Sequence, residues 1–127
     1  KHQTRDIRWY YGTTGTGKTR TAIAEAGDQE VFMTSGMTGD RFLDGYWNEK
    51  YVIFDDFRRH QLPFATLMRY TDRYPVNINI KYSRSAYQAT TIIITCDVHP
   101  DKYWSGNDLE QVVRRCSVIK EFKLPPV

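Results

Sequence analysis

The residues Gly12-Thr13-Thr14-Gly15-Thr16-Gly17-Lys18-Thr19 have the types and spacing of a phosphate cage. They meet the pattern Gly-x4-Gly-Lys-Thr, the P-loop, in full. Its glycines permit backbone angles that turn successive N–H groups toward an anion, and a following helix aims its positive end at the same charge. Gly12 to Thr19 are therefore expected to wrap the phosphates of a nucleoside triphosphate. Lys18 would reach the β- and γ-phosphates, and the Thr19 hydroxyl would complete the shell of a Mg2+ ion. A Gly-rich turn without a ligand is the plain alternative. The apolar run Ile7–Tyr11 before the loop and the helix formers after it argue against that.

Such a loop needs a carboxylate for the metal. Tyr51-Val52-Ile53-Phe54 is a continuous apolar run closed by Asp55 and Asp56, and strand ends in open α/β sheets project side chains toward a nucleotide. Asp55 is the expected metal-side acid. Asp56 is the candidate to orient the attacking water. A third apolar run, Ile92-Ile93-Ile94-Thr95, ends in Cys96-Asp97, which puts Asp97 within reach of the same nucleotide or in a plain loop. Arg114 and Arg115 close a helix-like segment near the C-terminus. They read either as cations favourably placed at a helix end or as an arginine finger on the γ-phosphate.

The elements that would position these groups follow from periodicity. Strands are expected at 7–11, 31–33, 51–54, 76–81, 91–95 and 118–122. Helices are expected from Lys18 to Ala26, ending at Gly27, from Pro63 onward, and over Leu109, Val112, Val113 and Cys116 with a cap at Asn107. The segment 34–48, with Gly36, Gly39 and Gly45, reads as an irregular connection, and Tyr82–Gln88 as a turn or loop. Strands alternating with helices imply an α/β fold, a three-layer sandwich around a largely parallel sheet, and the phosphate loop makes it a P-loop NTPase fold.

Composition bounds the rest. The 127 residues suit a single domain spanning 1–127, with 40% hydrophobic and 26% charged residues. No apolar run reaches the roughly 20 residues of a membrane span, and the polar start at Lys1 is unlike a signal peptide. Without an initiator Met, the sequence reads as a segment of a longer chain. Cys96 and Cys116 lack metal-ligand spacing and read as reduced thiols of an intracellular protein. Between Arg58 and Arg84 lie six Lys/Arg against one acid, in a chain of net charge +3. That basic centre suits a passing polyanion as well as it suits a solvated surface. Arg58, Arg59, Arg69 and Arg73 receive no specific role.

The order of Gly12–Thr19, Tyr51–Phe57, Ile92–Asp97 and Arg115 resembles a superfamily 3 helicase. Val52-Ile53-Phe54-Asp55-Asp56-Phe57 and Leu67-Met68-Arg69-Tyr70-Thr71-Asp72-Arg73-Tyr74-Pro75 resemble the replication-associated (Rep) proteins of circular single-stranded DNA viruses, circovirus-like ones above all. The likeness covers nearly the whole chain. It implies an ATP-driven helicase domain of the AAA+ type acting in the host nucleus as a ring, usually a hexamer, on single-stranded DNA. It also implies that Gly12–Thr19 and Asp55-Asp56 are the two Walker motifs and that Arg115 acts on a neighbouring subunit's ATP. Lys81, with Tyr82 and Arg84 beside it, would fall in the hairpin that contacts DNA.

Two departures stand out. The resembled family usually has Asn where this chain has Asp97, and an ionised carboxylate accepts hydrogen bonds but donates none. The hairpin has Tyr82-Ser83 where Gly follows the Lys. The rival readings are an RNA-virus helicase of the same superfamily, a small kinase, or a nucleotide-gated DNA-binding and assembly module with weak turnover. No Asn-Lys-x-Asp base-reading motif of a GTPase is present.

Overall fold

The computed structural model describes residues 4–73, 80 and 86–125. Among the described residues, five strands form one sheet: β1 (Asp6–Tyr11), β2 (Val31–Met33), β3 (Tyr51–Phe54), β4 (Thr91–Cys96) and β5 (Cys116–Glu121). Their spatial order is β2-β3-β4-β1-β5, and every pairing is parallel. The α-helices described between them are α1 (Lys18–Glu25), α2 (Phe64–Tyr70) and α3 (Gly106–Arg115). Parallel strands need crossovers, so all five carboxyl ends open on the same edge.

The strand sequences explain why both faces are covered. All four residues of β3 are buried, and β4 is nearly as apolar, as expected of strands packed on two sides. Alternation then sorts the side chains. Tyr10, Tyr51, Ile53 and Ile93 face α1, where Ala22 and Ala26 let the helix lie close. Trp9, Val52, Phe54, Ile92 and Ile94 face the other layer, formed by α2, α3 and the 34–48 connection. The result is the three-layer sandwich expected from the sequence.

The connection is irregular, as its glycines foretell, but it contributes core. Phe42, Leu43 and Tyr46 are buried, and Phe42 packs edge-on against Phe54 at 4.9 Å. Trp9 is fully buried, and Phe57, Tyr103 and Trp104 surround it in edge-to-face contacts. Its indole N–H donates to the Val98 carbonyl at 2.9 Å.

Several element ends differ from expectation by a residue, and β5 and α3 differ most. Cys116 was expected on the apolar face of the last helix, yet it opens β5, because pairing with Ile7 draws it into the ladder. The strand therefore runs over 116–121, two residues earlier than expected at its start. Helix α3 begins at Gly106, with Ser105 in extended backbone at the N-cap position in place of Asn107. The strand expected at 76–81 lies outside the described residues except for Ile80, which is buried. Of the loop expected at Tyr82–Gln88, only 86–88 is described, and it is irregular. Among the described residues, no helix is long and apolar enough to cross a membrane.

Candidate functional site

The phosphate loop leaves β1 at Gly12, and here the chain is tight. The Gly12 N–H donates to the Cys96 carbonyl at 3.2 Å. A Cβ on Gly12 would lie 2.2 Å from the Phe122 carbonyl oxygen, at a φ of +150°. Only glycine fits. Gly15 (φ +83°) and Gly17 (φ +87°) are left-handed, and no atom lies within 4 Å of where their Cβ atoms would stand. The loop thus bends around open space. Gly17 caps α1 without a side-chain bond, and no acid stands in the helix's first turn, so amides at that end remain available to an anion. The Lys18 ammonium folds back over the loop onto the carbonyls of Gly12 and Thr13. Thr16 closes the turn by donating to the Thr13 carbonyl at 2.8 Å.

Strand β3 delivers the acids to this loop. The Thr19 hydroxyl donates to Asp55 Oδ1 at 2.7 Å, joining the first turn of α1 to the tip of β3. Thr34 and Thr95, which the motif reading passed over, set the backbone there. Thr34 Oγ1 accepts from the Asp55 N–H at 2.9 Å, and Thr95 Oγ1 accepts from the Asp56 N–H at 2.8 Å. Thr95 also donates to Asp55 Oδ1 at 3.2 Å, so the carboxylate is held from two sides. Asp56 adopts φ 51°, the one described non-glycine residue with positive φ. Such strained backbone persists where neighbours over-determine it.

The fit to Mg2+ follows from this donor set. Among the described residues, no group of three or more His, Cys, Asp or Glu could hold a metal by itself. One hydroxyl and one carboxylate side by side are what a Mg2+ ion needs when phosphate oxygens and waters supply its other ligands.

Asp97 reaches the same edge at the tip of β4. It does not stand alone: Arg58 lies 3.1 Å from Asp97 and 3.0 Å from Asp56. Burial works against the guanidinium's charge, but Asp56 and Asp97, helped by Tyr103, outweigh it and hold Arg58 above its ordinary range. Burial also pushes the Cys96 thiol and the Tyr103 hydroxyl up. Arg58 is therefore more than a solvated cation. Its partnership with Asp97 depends on how β3 and β4 register, and no spacing in the sequence announces it.

A cleft of about 650 Å³ flanks the loop, bounded by Tyr11, Gly12 and Thr13, by Asp97 to His99, and by the end of β5 at Glu121 to Leu124. Arg115 lies elsewhere. It is the last residue of α3, just before β5, whose start pairs with the start of β1, so the length of a strand separates it from its own phosphate loop. Half-buried beside Ile7, Leu67, Met68 and Ile94, it leaves Nε without a partner among the described residues. Arg114 is exposed and pairs with Glu110 one helical turn back. Lys81, Tyr82 and Arg84 lie outside the described residues.

A phosphate loop after the first strand, acids at the tip of β3 one strand away across β4, and a parallel five-stranded sheet define a P-loop NTPase. Residues 8–98 match the family model described as RNA helicase. The chain belongs to that helicase family, in the superfamily 3 form carried by replication-associated proteins. It is 38% identical over 93 residues to the replication-associated protein of Canary circovirus, covering 73% of this chain and 30% of that protein. It is 28% identical over 130 residues to that of Porcine circovirus 1, covering 97% and 41%. The chain thus spans well under half the length of these relatives. A solved structure of the JCV helicase superposes with a TM-score of 0.58 over 95% of this chain and 36% of that one. At 17% identity, this likeness speaks for the fold alone.

Proposed function

We propose that this single domain binds Mg·ATP at the carboxyl edge of its sheet and hydrolyses it to move along single-stranded DNA, as the motor of a viral replication initiator. The observation that carries the reading is the 2.7 Å bond between Thr19 and Asp55, which brings the phosphate loop and the strand-tip acid into one site. The amides of Gly12 to Thr19 would surround the phosphates. Lys18, now resting on loop carbonyls, would turn to the β- and γ-phosphates. Thr19 and Asp55 would hold Mg2+, which neutralises phosphate charge when bound. Asp56 would orient and polarise the attacking water, with Asp97 bordering it.

Arg115 would act on a neighbour's ATP in a ring, a hexamer by family habit. Its position a strand's length from its own loop supports action in trans. Lys81, Tyr82 and Arg84 would grip DNA, and the place of action would be the host nucleus. Calorimetric titration with Mg·ATPγS tests the core of the reading. The chain should take up nucleotide, and Lys18→Ala should lose it; equal uptake by both would sink the assignment.

A second reading has an observation of its own. Arg58 occupies both water-side carboxylates, which favours a nucleotide-gated DNA-binding and assembly module with weak turnover. Steady-state hydrolysis by wild type and Asp97→Asn, with and without single-stranded DNA, separates the two. The motor reading expects DNA-stimulated turnover, with the Asn form at least as active.

A further inference from the structure

Asp97 puts a charge that can only accept hydrogen bonds at the border of a site built for a polyanion. The structure pairs that charge. One Arg58 nitrogen lies 3.1 Å from Asp97 Oδ1 and another 3.0 Å from Asp56 Oδ1, so the planar guanidinium spans two strand tips. Its root is pinned, because the Arg58 N–H donates to Gln61 Oε1 at 2.7 Å. The side chain is 39% exposed, and the nitrogen that meets Asp97 also donates to the Phe57 carbonyl at 3.4 Å. Asp97 also lines the cleft together with Gly12 and Thr13. The carbonyl just before it, on Cys96, accepts from the Gly12 N–H. Asp97, the carboxylate that holds Arg58, therefore borders the phosphate loop of its own subunit.

We propose that Asp97 is a positioning residue for Arg58, and that Arg58 supplies the hydrogen-bond donor to the terminal phosphate that a carboxylate at 97 cannot. The proposal rests on the ATP reading above. A guanidinium carries five N–H donors in a fixed fork, so two carboxylates can orient it while other donors face the phosphate. A bare carboxylate at 97 would instead repel the nucleotide.

Titrating this chain with Mg·ADP and with Mg·ATPγS reads contact with the terminal phosphate as a ratio of affinities. Arg58→Gln should weaken Mg·ATPγS by about tenfold more than Mg·ADP, the scale of one charge-assisted hydrogen bond. Arg58→Lys should fall between, because a point charge replaces the fork. The double variant Arg58→Gln/Asp97→Asn should bind Mg·ATPγS better than Arg58→Gln alone, because the unpaired carboxylate is gone. An ordinary surface ion pair would leave the ratio unmoved in every variant. An unchanged ratio in a folded Arg58→Gln protein, checked by circular dichroism, overturns the assignment. So does a double variant no better than the single one. If the Gln form does not fold, Arg58→Lys carries the same comparison. A wild-type chain that binds neither nucleotide overturns the ATP reading and this assignment together. Tight wild-type binding with an unchanged ratio overturns this assignment alone.

Discussion

One methyl group at Gly12 would decide the fate of the phosphate loop. Its Cβ would meet the Phe122 carbonyl at 2.2 Å, and neither backbone can yield without breaking the Phe122 N–H bond to the Tyr11 carbonyl. Gly12→Ala should therefore cost at least about 1–3 kcal/mol in backbone strain alone and abolish Mg·ATP uptake. Urea denaturation and calorimetry measure the two effects. Asp55 calls for a different outcome. In Asp55→Asn the amide can still meet Thr19 and Thr95, so the fold should stand. Hydrolysis should fall by about a hundredfold or more, as expected when a charge on the reacting phosphates loses its counterpart. A brisk ATPase in Asp55→Asn would remove that residue from the metal site.

At the scale of elements, α1 is fastened to the sheet by the two tyrosines on its face. The Tyr51 hydroxyl donates to the Ala22 carbonyl at 2.5 Å, and the Tyr10 hydroxyl to Glu25 Oε1 at 2.5 Å. Tyr51 is buried, so Tyr51→Phe leaves an acceptor unpaired in the interior and should destabilise by about 1–2 kcal/mol. Because α1 begins at Lys18, a looser helix should also weaken nucleotide binding. A shift in the urea midpoint without any loss of affinity would separate the anchor from the site. The element types were readable because strand and helix periods differ. The boundary at Cys116 was not, because its apolar spacing suits the helix while its pairing with Ile7 is decided across the sheet.

At the scale of the molecule, the Arg115 reading predicts shared sites. Mixing Arg115→Ala with Lys18→Ala chains under ring-forming conditions should restore part of the hydrolysis that each lacks. No rescue where rings demonstrably form would count against action in trans. Cys116 gives a pH test of the packed edge. Burial raises its thiol from 9.0 to about 12. Below pH 9 both folded and unfolded states keep the proton, so the thiol adds no pH dependence. Between 9 and about 12 the unfolded chain releases it while the folded chain does not, so stability falls as pH rises. Comparing urea midpoints at pH 8 and pH 10.5, Cys116→Ala should show the smaller decline.

The sequence by itself determined the phosphate loop, the Asp55-Asp56 pair and the alternating strands. A phosphate cage is made of contiguous backbone, and a strand tip follows directly from where an apolar run stops. Tertiary structure decided what lies across strands: the Thr34 and Thr95 hydroxyls that set the acids, the Arg58 bridge from Asp56 to Asp97, and the distance of Arg115 from its own loop. Those relations depend on register and crossover, which bring together residues remote in the chain, and local spacing carries no record of them.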